Sequence, residues 1–441
     1  MRSRAPARGL PATGQAPPLG LRRNFAWTLA GNGLYAASQW GILIALAKMA
    51  DPAAVGRFAL GLAVTAPIFL FANLQLRAVQ ATDARAEFRF GEYLRLRMLM
   101  TAGAILTVAL VVGIAGEPRS TSLAILAVAG AKAVESLSDV AYGLFQRRER
   151  MDWIAVSMTA RGPLSLALLG IAVHVTGSVA WGAVAMAAAF AIVLATYDAS
   201  RVRRALAAED GGMPAAVRPE RSFPRILRLA RLALPLGFVM TLVSLNANIP
   251  RYFLEAHLGE RDLGIFTALA QVTVAGTMIV NALGQSATPR LAGHYSEKNA
   301  AEFRRLLGRL LIGAAGLGAG GLILAAVAGR SILAILYRPE YAAQVNVLHV
   351  LVLGAALSFL SSFLGYGMTA ARSFRAQVPL FTIVVLGTTA ASALLVPRFG
   401  LMGAAWATVA TSSLSLIGGA IVLAAALRRL GPGPDSPEVR A

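Results

Sequence analysis

The stretch MLMTAGAILTVALVVGIA, Met98 to Ala115, is eighteen residues without a charge, bounded by Arg95 and Arg97 on one side and by Glu117 and Arg119 on the other. As an α-helix rising 1.5 Å per residue it covers about 27 Å, close to the ~30 Å hydrocarbon core of a bilayer. Lipid offers the backbone no hydrogen-bond partner, so such a segment crosses as a helix. Outward from it, runs of the same character recur near residues 24–47, 58–79, 121–145, 153–174 and 179–198, and again near 227–250, 263–288, 308–328, 346–370, 379–396 and 401–427. The 441 residues are 57% hydrophobic and 14% charged, where soluble domains carry roughly a quarter charged residues. A soluble enzyme is excluded. The expected fold class is an all-α polytopic membrane protein with twelve transmembrane helices.

The net charge of +20, from 41 Lys and Arg against 21 Asp and Glu, brings nucleic-acid binding to mind, yet no basic stretch lies on a polar domain of its own. The charge sits in the connectors. With both termini placed in the cytoplasm, 30 Lys and Arg fall in or beside inside segments and 8 in outside loops, the asymmetry of the positive-inside rule. The chain is then read as a cytoplasmic tail (1–23), a first group of six spans (24–198), a cytoplasmic linker (199–226) containing Gly211, Gly212 and Pro214, a second group of six (227–427) and a cytoplasmic C-terminal tail (428–441). Prolines at 6, 11, 17 and 18 interrupt the first tail, and the apolar run after it is too long for a cleaved signal, so the first span is read as an uncleaved signal-anchor. The absence of cysteine excludes disulfides and thiolate chemistry, and His174, His257, His294 and His349 have no metal-ligand spacing. No cofactor is expected. No G-x-x-x-x-G-K-[ST] occurs, so the chain is not its own ATPase.

Sliding the second half over the first at an offset of 208 pairs Gly56 and Phe58 with Gly264 and Phe266, Val64-Thr65 with Val272-Thr273, and Asn73 with Asn281, five identities in eighteen positions. Six spans per half make both halves enter the membrane the same way, a parallel repeat about an axis along the membrane normal that encloses a central cleft. An old duplication without a cavity is the plainer reading of the same pattern.

Leu46-Ala47, Asp51-Pro52 and Val55-Gly56-Arg57-Phe58-Ala59-Leu60 after the first span resemble the opening of polysaccharide flippases of the multidrug/oligosaccharidyl-lipid/polysaccharide (MOP) superfamily. Phe399 to Thr408 (FGLMGAAWAT) is similar to that family's Gly-x-x-Gly-Ala-Ala-x-Ala-Thr motif, and Gly177 to Ala185 is a weaker copy. The resemblance implies flipping of an undecaprenyl-diphosphate-linked oligosaccharide from the cytoplasmic to the periplasmic leaflet of a bacterial inner membrane, for O-antigen, capsule or exopolysaccharide assembly. The implied partners are the lipid-linked anionic oligosaccharide, membrane lipid, H+ or Na+ and glycan assembly proteins, with no nucleic acid. Drug exporters of the same superfamily share the span count and are the main alternative. A membrane polysaccharide polymerase is a second, disfavoured because the longest loop, about 27 residues, has a linker's composition.

Ionisable residues inside a span are costly and point to function by default. Lys132, Glu135 and Asp139 lie within about 60° of one another on the fourth span, and Tyr142 extends the stripe. By helical rise, Asp139 is about 9 Å, Arg161 about 12 Å and Glu135 about 15 Å from the cytoplasmic end, so Arg161 is expected to face both carboxylates. Two readings stand: a structural ion-pair network, or carboxylates that answer to proton or sodium (Glu135, Asp139) beside cations that meet an anionic headgroup (Lys132, Arg161). Asn73 and Arg77 at the inner end of the second span, with Asn281 and Arg290 at the comparable end of the eighth, are candidates for a diphosphate site drawn from both halves, because guanidinium matches phosphate oxygens bidentately; snorkelling to headgroups is the alternative for the arginines. Arg251, beside Pro250 near the outer end of the seventh span, completes the substrate-binding candidates, and Pro235 is expected to favour a bend in that span. Glycines at 313, 316, 318, 320 and 321 are expected to mark close helix contact.

Overall fold

The computed structural model describes residues 21–83, 87–209, 223–371 and 373–428. Among them the regular structure is entirely helical: α1 (Leu21–Met49), α2 (Pro52–Asn73), α3 (Leu76–Thr82), α4 (Phe90–Ala115), α5 (Arg119–Arg147), α6 (Met151–Thr176), α7 (Val179–Val193), a π-helical turn (Leu194–Asp198), α8 (Ala199–Glu209), α9 (Phe223–Leu258), α10 (Glu260–Gln271), α11 (Val274–Ser296), α12 (Ala300–Leu336), α13 (Pro339–Ala342), α14 (Val345–Ala370) and α15 (Phe374–Arg428). The first twenty residues of the expected N-terminal tail, residues 210–222 of the expected linker and the C-terminal tail after Arg428 lie outside the described residues. Helix occupies both flanks of that linker, 199–209 and 223–226.

Eight helices among the described residues are long and apolar enough to cross a membrane, and the α10–α11 pair, bent by 46°, makes nine if taken as one broken span. α1 and α5 are not among them. α5 carries Lys132, Glu135 and Asp139 in its middle, and α1 interleaves Asn32, Tyr35, Ser38 and Gln39 with its apolar residues. α15 is two helices joined across Gly400, whose φ of 57° and ψ of −131° are not helical. Large apolar side chains such as Leu106, Ile114, Ile312 and Val327 are more than two-thirds exposed, a surface that suits lipid and not water. The chain is a multi-pass membrane protein.

Helices in lipid gain nothing from hiding apolar surface from one another, so close backbone approach and polar contacts hold them together. At the hairpin that ends the chain, a Cβ on Gly403 would overlap the carbonyl of Leu395, and Ala404, Ala405 and Ala407 are fully buried. The Gly-Ala-rich motif is therefore packing: Gly400 turns the chain and the small residues let the last two helices touch. Gly177 (φ 66°) and Gly182, which packs on Val173 and Leu169, do the same between α6 and α7. The glycines of α12 depart from expectation. Of the five expected to mark close helix contact, Gly318 and Gly321 meet α14, at Ala356 and Val352, while those at 313, 316 and 320 face open space. α9 runs as one helix through Pro235 and Pro250. Its first turns, through Ile226, Leu229 and Ala233, are buried with residues of α3 to α6, and a larger buried cluster joins α1, α2 and α5–α7 to α9, α10, α12–α14 and α15.

Candidate functional site

A cavity of about 560 Å³ opens between α2, α3 and α5, with Asn73, Arg77, Lys132, Glu135 and Asp139 in its wall. Two local features build it. The stripe on α5 has the expected helical phase, so its three charged residues share one face. The chain between α2 and α3 breaks at Leu74 and Gln75, both left-handed (φ 49° and 52°), and this turn swings Arg77 back over the cavity. Lys132 Nζ donates to Glu135 Oε2 at 2.8 Å, and the Tyr35 hydroxyl donates to Glu135 Oε1 at 3.0 Å. Arg77 lies 3.8 Å from Asp139 and donates through Nε to Gln146 at 3.1 Å. The rim residues Gln75, Arg77 and Gln146 adjoin the ends of α2 and α5 that lead into basic connectors.

Asp139 receives its strongest contact from a residue the sequence reading left among loop charges. Arg97, fully buried, donates to Asp139 Oδ2 at 2.9 Å and also to the Asn73 side-chain oxygen. Arg95, two residues earlier, belongs to the same basic cluster, and nothing in the pattern of α4 alone separates the two. Only the helix phase against α5 sends Arg97 inward. Three cations, Arg77, Arg97 and Lys132, thus meet two carboxylates in and behind this wall.

Arg161 is not in that wall. Its ion pair is with Asp198, at 3.5 Å, with both side chains almost wholly buried. This corrects in part the expectation that Arg161 faces Glu135 and Asp139: Asp139 is taken by Arg97 and Arg77, while Arg161 remains within electrostatic reach of Glu135. The guanidinium is held over the rings of Tyr142 (5.4 Å) and Phe190 (5.0 Å), and the Tyr142 hydroxyl bonds Ser157 at 2.7 Å. The π-helical turn ending at Asp198 inserts extra chain into the helix and turns that carboxylate inward. The only signal in the sequence was an acid at the last position of an apolar run.

A second, smaller cavity of about 240 Å³ lies among α9, α10, α11, α14 and α15, with Arg251, Asn246, Thr273, Thr277, Ser358 and Thr411 in its wall. Arg251 Nη1 donates to Asn248 Oδ1 at 2.8 Å. The Thr388 hydroxyl donates to Asn246 Oδ1 at 2.6 Å and lies 2.8 Å from that of Thr411. Asn281 and Arg290, expected to share a site with Asn73 and Arg77, are exposed on α11 and are in neither wall; Asn281 Oδ1 accepts from the Tyr366 hydroxyl at 3.3 Å.

The two chain halves meet where α2 and α10 begin. A Cβ on Gly56 would overlap the carbonyl oxygen of Glu260, and a Cβ on Gly264 would overlap that of Pro52. Residues 52 and 260 are themselves related by the offset of 208 that relates 56 and 264, so the contact is reciprocal, as at a two-fold interface. Around it Arg57 reaches Glu260 at 3.4 Å, Thr121 also bonds Glu260, Trp40 Nε1 donates to the Tyr337 hydroxyl at 3.3 Å, and that hydroxyl donates to the Ala268 carbonyl at 3.0 Å.

Residues 21–295 match the model of a family described as polysaccharide biosynthesis protein. The chain is 27% identical over 395 residues to the capsular polysaccharide biosynthesis protein CapF of Staphylococcus aureus, covering 90% of this chain and 97% of that one. Its fold is similar to that of an inward-facing multidrug resistance transporter of the MATE family (TM-score 0.67, 15% identity, 91% of this chain and 94% of that one). It is also similar to a MOP superfamily transporter from Pyrococcus furiosus (TM-score 0.63, 12% identity, 94% and 96%). The matched model covers more than half of the chain, and the chain belongs to the polysaccharide biosynthesis protein family.

Proposed function

We propose that this chain carries a lipid-linked anionic oligosaccharide from the cytoplasmic to the outer leaflet of a bacterial inner membrane by alternating access. The observation that carries the reading is the polarity of the molecule. A charged cavity opens beside the basic connectors, and the opposite end is sealed by the Gly56–Gly264 crossing of the two halves. In this reading α1, α5 and the two parts of α15 count as spans, giving twelve in two groups of six with both termini in the cytoplasm. Asn73, Arg77 and Lys132 receive the diphosphate and first sugar, and the surplus of one cation over the carboxylates favours an anionic headgroup. Arg97 positions Asn73 and Asp139, and Glu135 and Asp139 are the groups through which H+ or Na+ would couple. The tail of the substrate stays in lipid.

A cation-coupled exporter of the same superfamily is the second reading. It is favoured by the likeness to MATE transporters and by carboxylates in the cavity wall. The two diverge in one experiment. Lys132→Ala is expected to lower surface polysaccharide at least tenfold while the protein accumulates normally, because Lys132 is one-third exposed and Glu135 keeps its bond to Tyr35. Unchanged surface glycan, measured in cells whose only copy is the variant, together with lost efflux of a cationic dye, would decide for the exporter.

A further inference from the structure

Arg97, Arg161 and Lys132 each have a carboxylate partner, at 2.9, 3.5 and 2.8 Å. Arg251 has none among the described residues. One of its nitrogens donates to Asn248, and its Nε is buried without a partner. An unpaired cation in a membrane interior is strongly unfavourable and persists where a ligand or water completes it. The pocket around it is rich in hydroxyls, and these have a particular valence. The Thr273 and Thr408 hydroxyls donate to the backbone carbonyls of Ala270 and Ala404, at 2.8 and 3.0 Å, and the Thr411 hydroxyl is shared between the Ala407 carbonyl and Thr388, so Thr273 and Thr408 offer a ligand oxygen lone pairs. Arg251 supplies donors and positive charge, and these two threonines supply acceptors.

We infer that this pocket binds an oxyanion carried on a hydroxylated ring, a sugar carboxylate or a sugar phosphate, with the oxyanion on Arg251 and ring hydroxyls donating to the threonines. Neither a neutral sugar nor a bare inorganic anion satisfies both sets. Arg251 lies seven residues before the end of α9, roughly 10 Å by helical rise. Phe266 and Ala270, in the pocket wall, follow Gly264 by two and six residues. The pocket thus sits just inside the seam, deeper along the path than the first cavity. Resting on the transport reading above, it is a second station that the headgroup reaches before release.

The test uses the full-length protein purified in detergent, with thermal stabilisation and calorimetry as readouts and glucuronate, glucose 1-phosphate, glucose and inorganic phosphate as probes. At least one of the two anionic sugars is expected to bind, and which one does separates a sugar carboxylate from a phosphate. Glucose and inorganic phosphate are expected to bind at least tenfold more weakly. Arg251→Gln is expected to weaken anionic-sugar binding at least tenfold while leaving the unliganded protein as stable or more stable, since it removes an uncompensated charge. Arg251→Lys is expected to keep part of the affinity, and Thr408→Val to lose a few-fold. Failure of both anionic sugars to bind, equal binding of inorganic phosphate, or a loss of unliganded stability in Arg251→Gln would each overturn the inference. If anionic-sugar binding responds to Arg251 while Lys132→Ala leaves surface glycan intact, the transport reading fails and the pocket stands. If Lys132→Ala removes surface glycan but Arg251→Gln binds as wild type, the pocket fails and transport stands.

Discussion

Gly56→Ala is expected to reduce surface glycan to near background and to leave the first cavity open to reagents from outside. The added methyl would overlap the Glu260 carbonyl, a backbone atom that no rotamer change can move. α2 and α10 must separate, and overpacking of this kind costs about 1–3 kcal/mol. At 1.4 kcal/mol per tenfold, the ratio of outside-closed to outside-open molecules shifts by roughly fivefold to a hundredfold. Gly264→Ala should match it, because that methyl meets the Pro52 carbonyl in the same way. The absence of cysteine from the chain makes the measurement simple. A single Ala66→Cys in the cavity wall, probed with a membrane-impermeant thiol reagent added outside, should react several-fold faster in either glycine variant than with both glycines intact. If neither changes the rate and both merely lower the amount of protein, the crossing is a fixed joint and alternating access loses its outer seal.

Asp198→Ala should be the most destabilising single substitution in the first half of the chain. Arg161 and Asp198 are 2% and 0% exposed, and removing one member of a buried pair leaves the other's charge stranded, at a cost of about 3–5 kcal/mol. Arg161→Met combined with Asp198→Leu removes both charges and should recover most of that loss in a detergent melt. The double variant then separates framework from function. Restored stability with restored surface glycan makes the pair a support that holds α6 against the π-helical turn. Restored stability without glycan gives Arg161 a part in transport. Equal stability of Asp198→Ala and wild type would mean that the pair is not buried together in the membrane.

Much of the architecture was legible in residues alone. Span positions follow from runs of apolar residues matched to the bilayer, and all twelve expected stretches lie on helix, apart from the breaks at Leu74–Gln75 and Val272–Thr273. The charged face of α5 was legible too, because helical phase is a local property and residues spaced three and then four positions apart share a side of a helix. Partnership was less so. Lys132, Glu135 and Asp139 were visible, but Arg97 looked like any arginine at the start of a span, and Asp198 looked like a span end. The second-half candidates Asn281, chosen by register against Asn73, and Arg290, at the comparable end of its span, fell outside the cavity; α10 and α11 are bent by 46° at a point where α2 continues as one helix.

What the sequence by itself determined is the membrane class, the helical runs, the inside–outside charge asymmetry and the correspondence of residue 56 with residue 264. These rest on periodicity and transfer energies that act within a few turns of one chain segment. Only the tertiary structure decided which carboxylate neutralises which cation, that Arg251 has none among the described residues, and that the two corresponding glycines touch. A charge interacts strongly only with what lies within a few ångströms, and apart from local pairs such as Lys132–Glu135 those neighbours come from segments 37 to 203 residues away, brought together by the rotation of each helix about its axis.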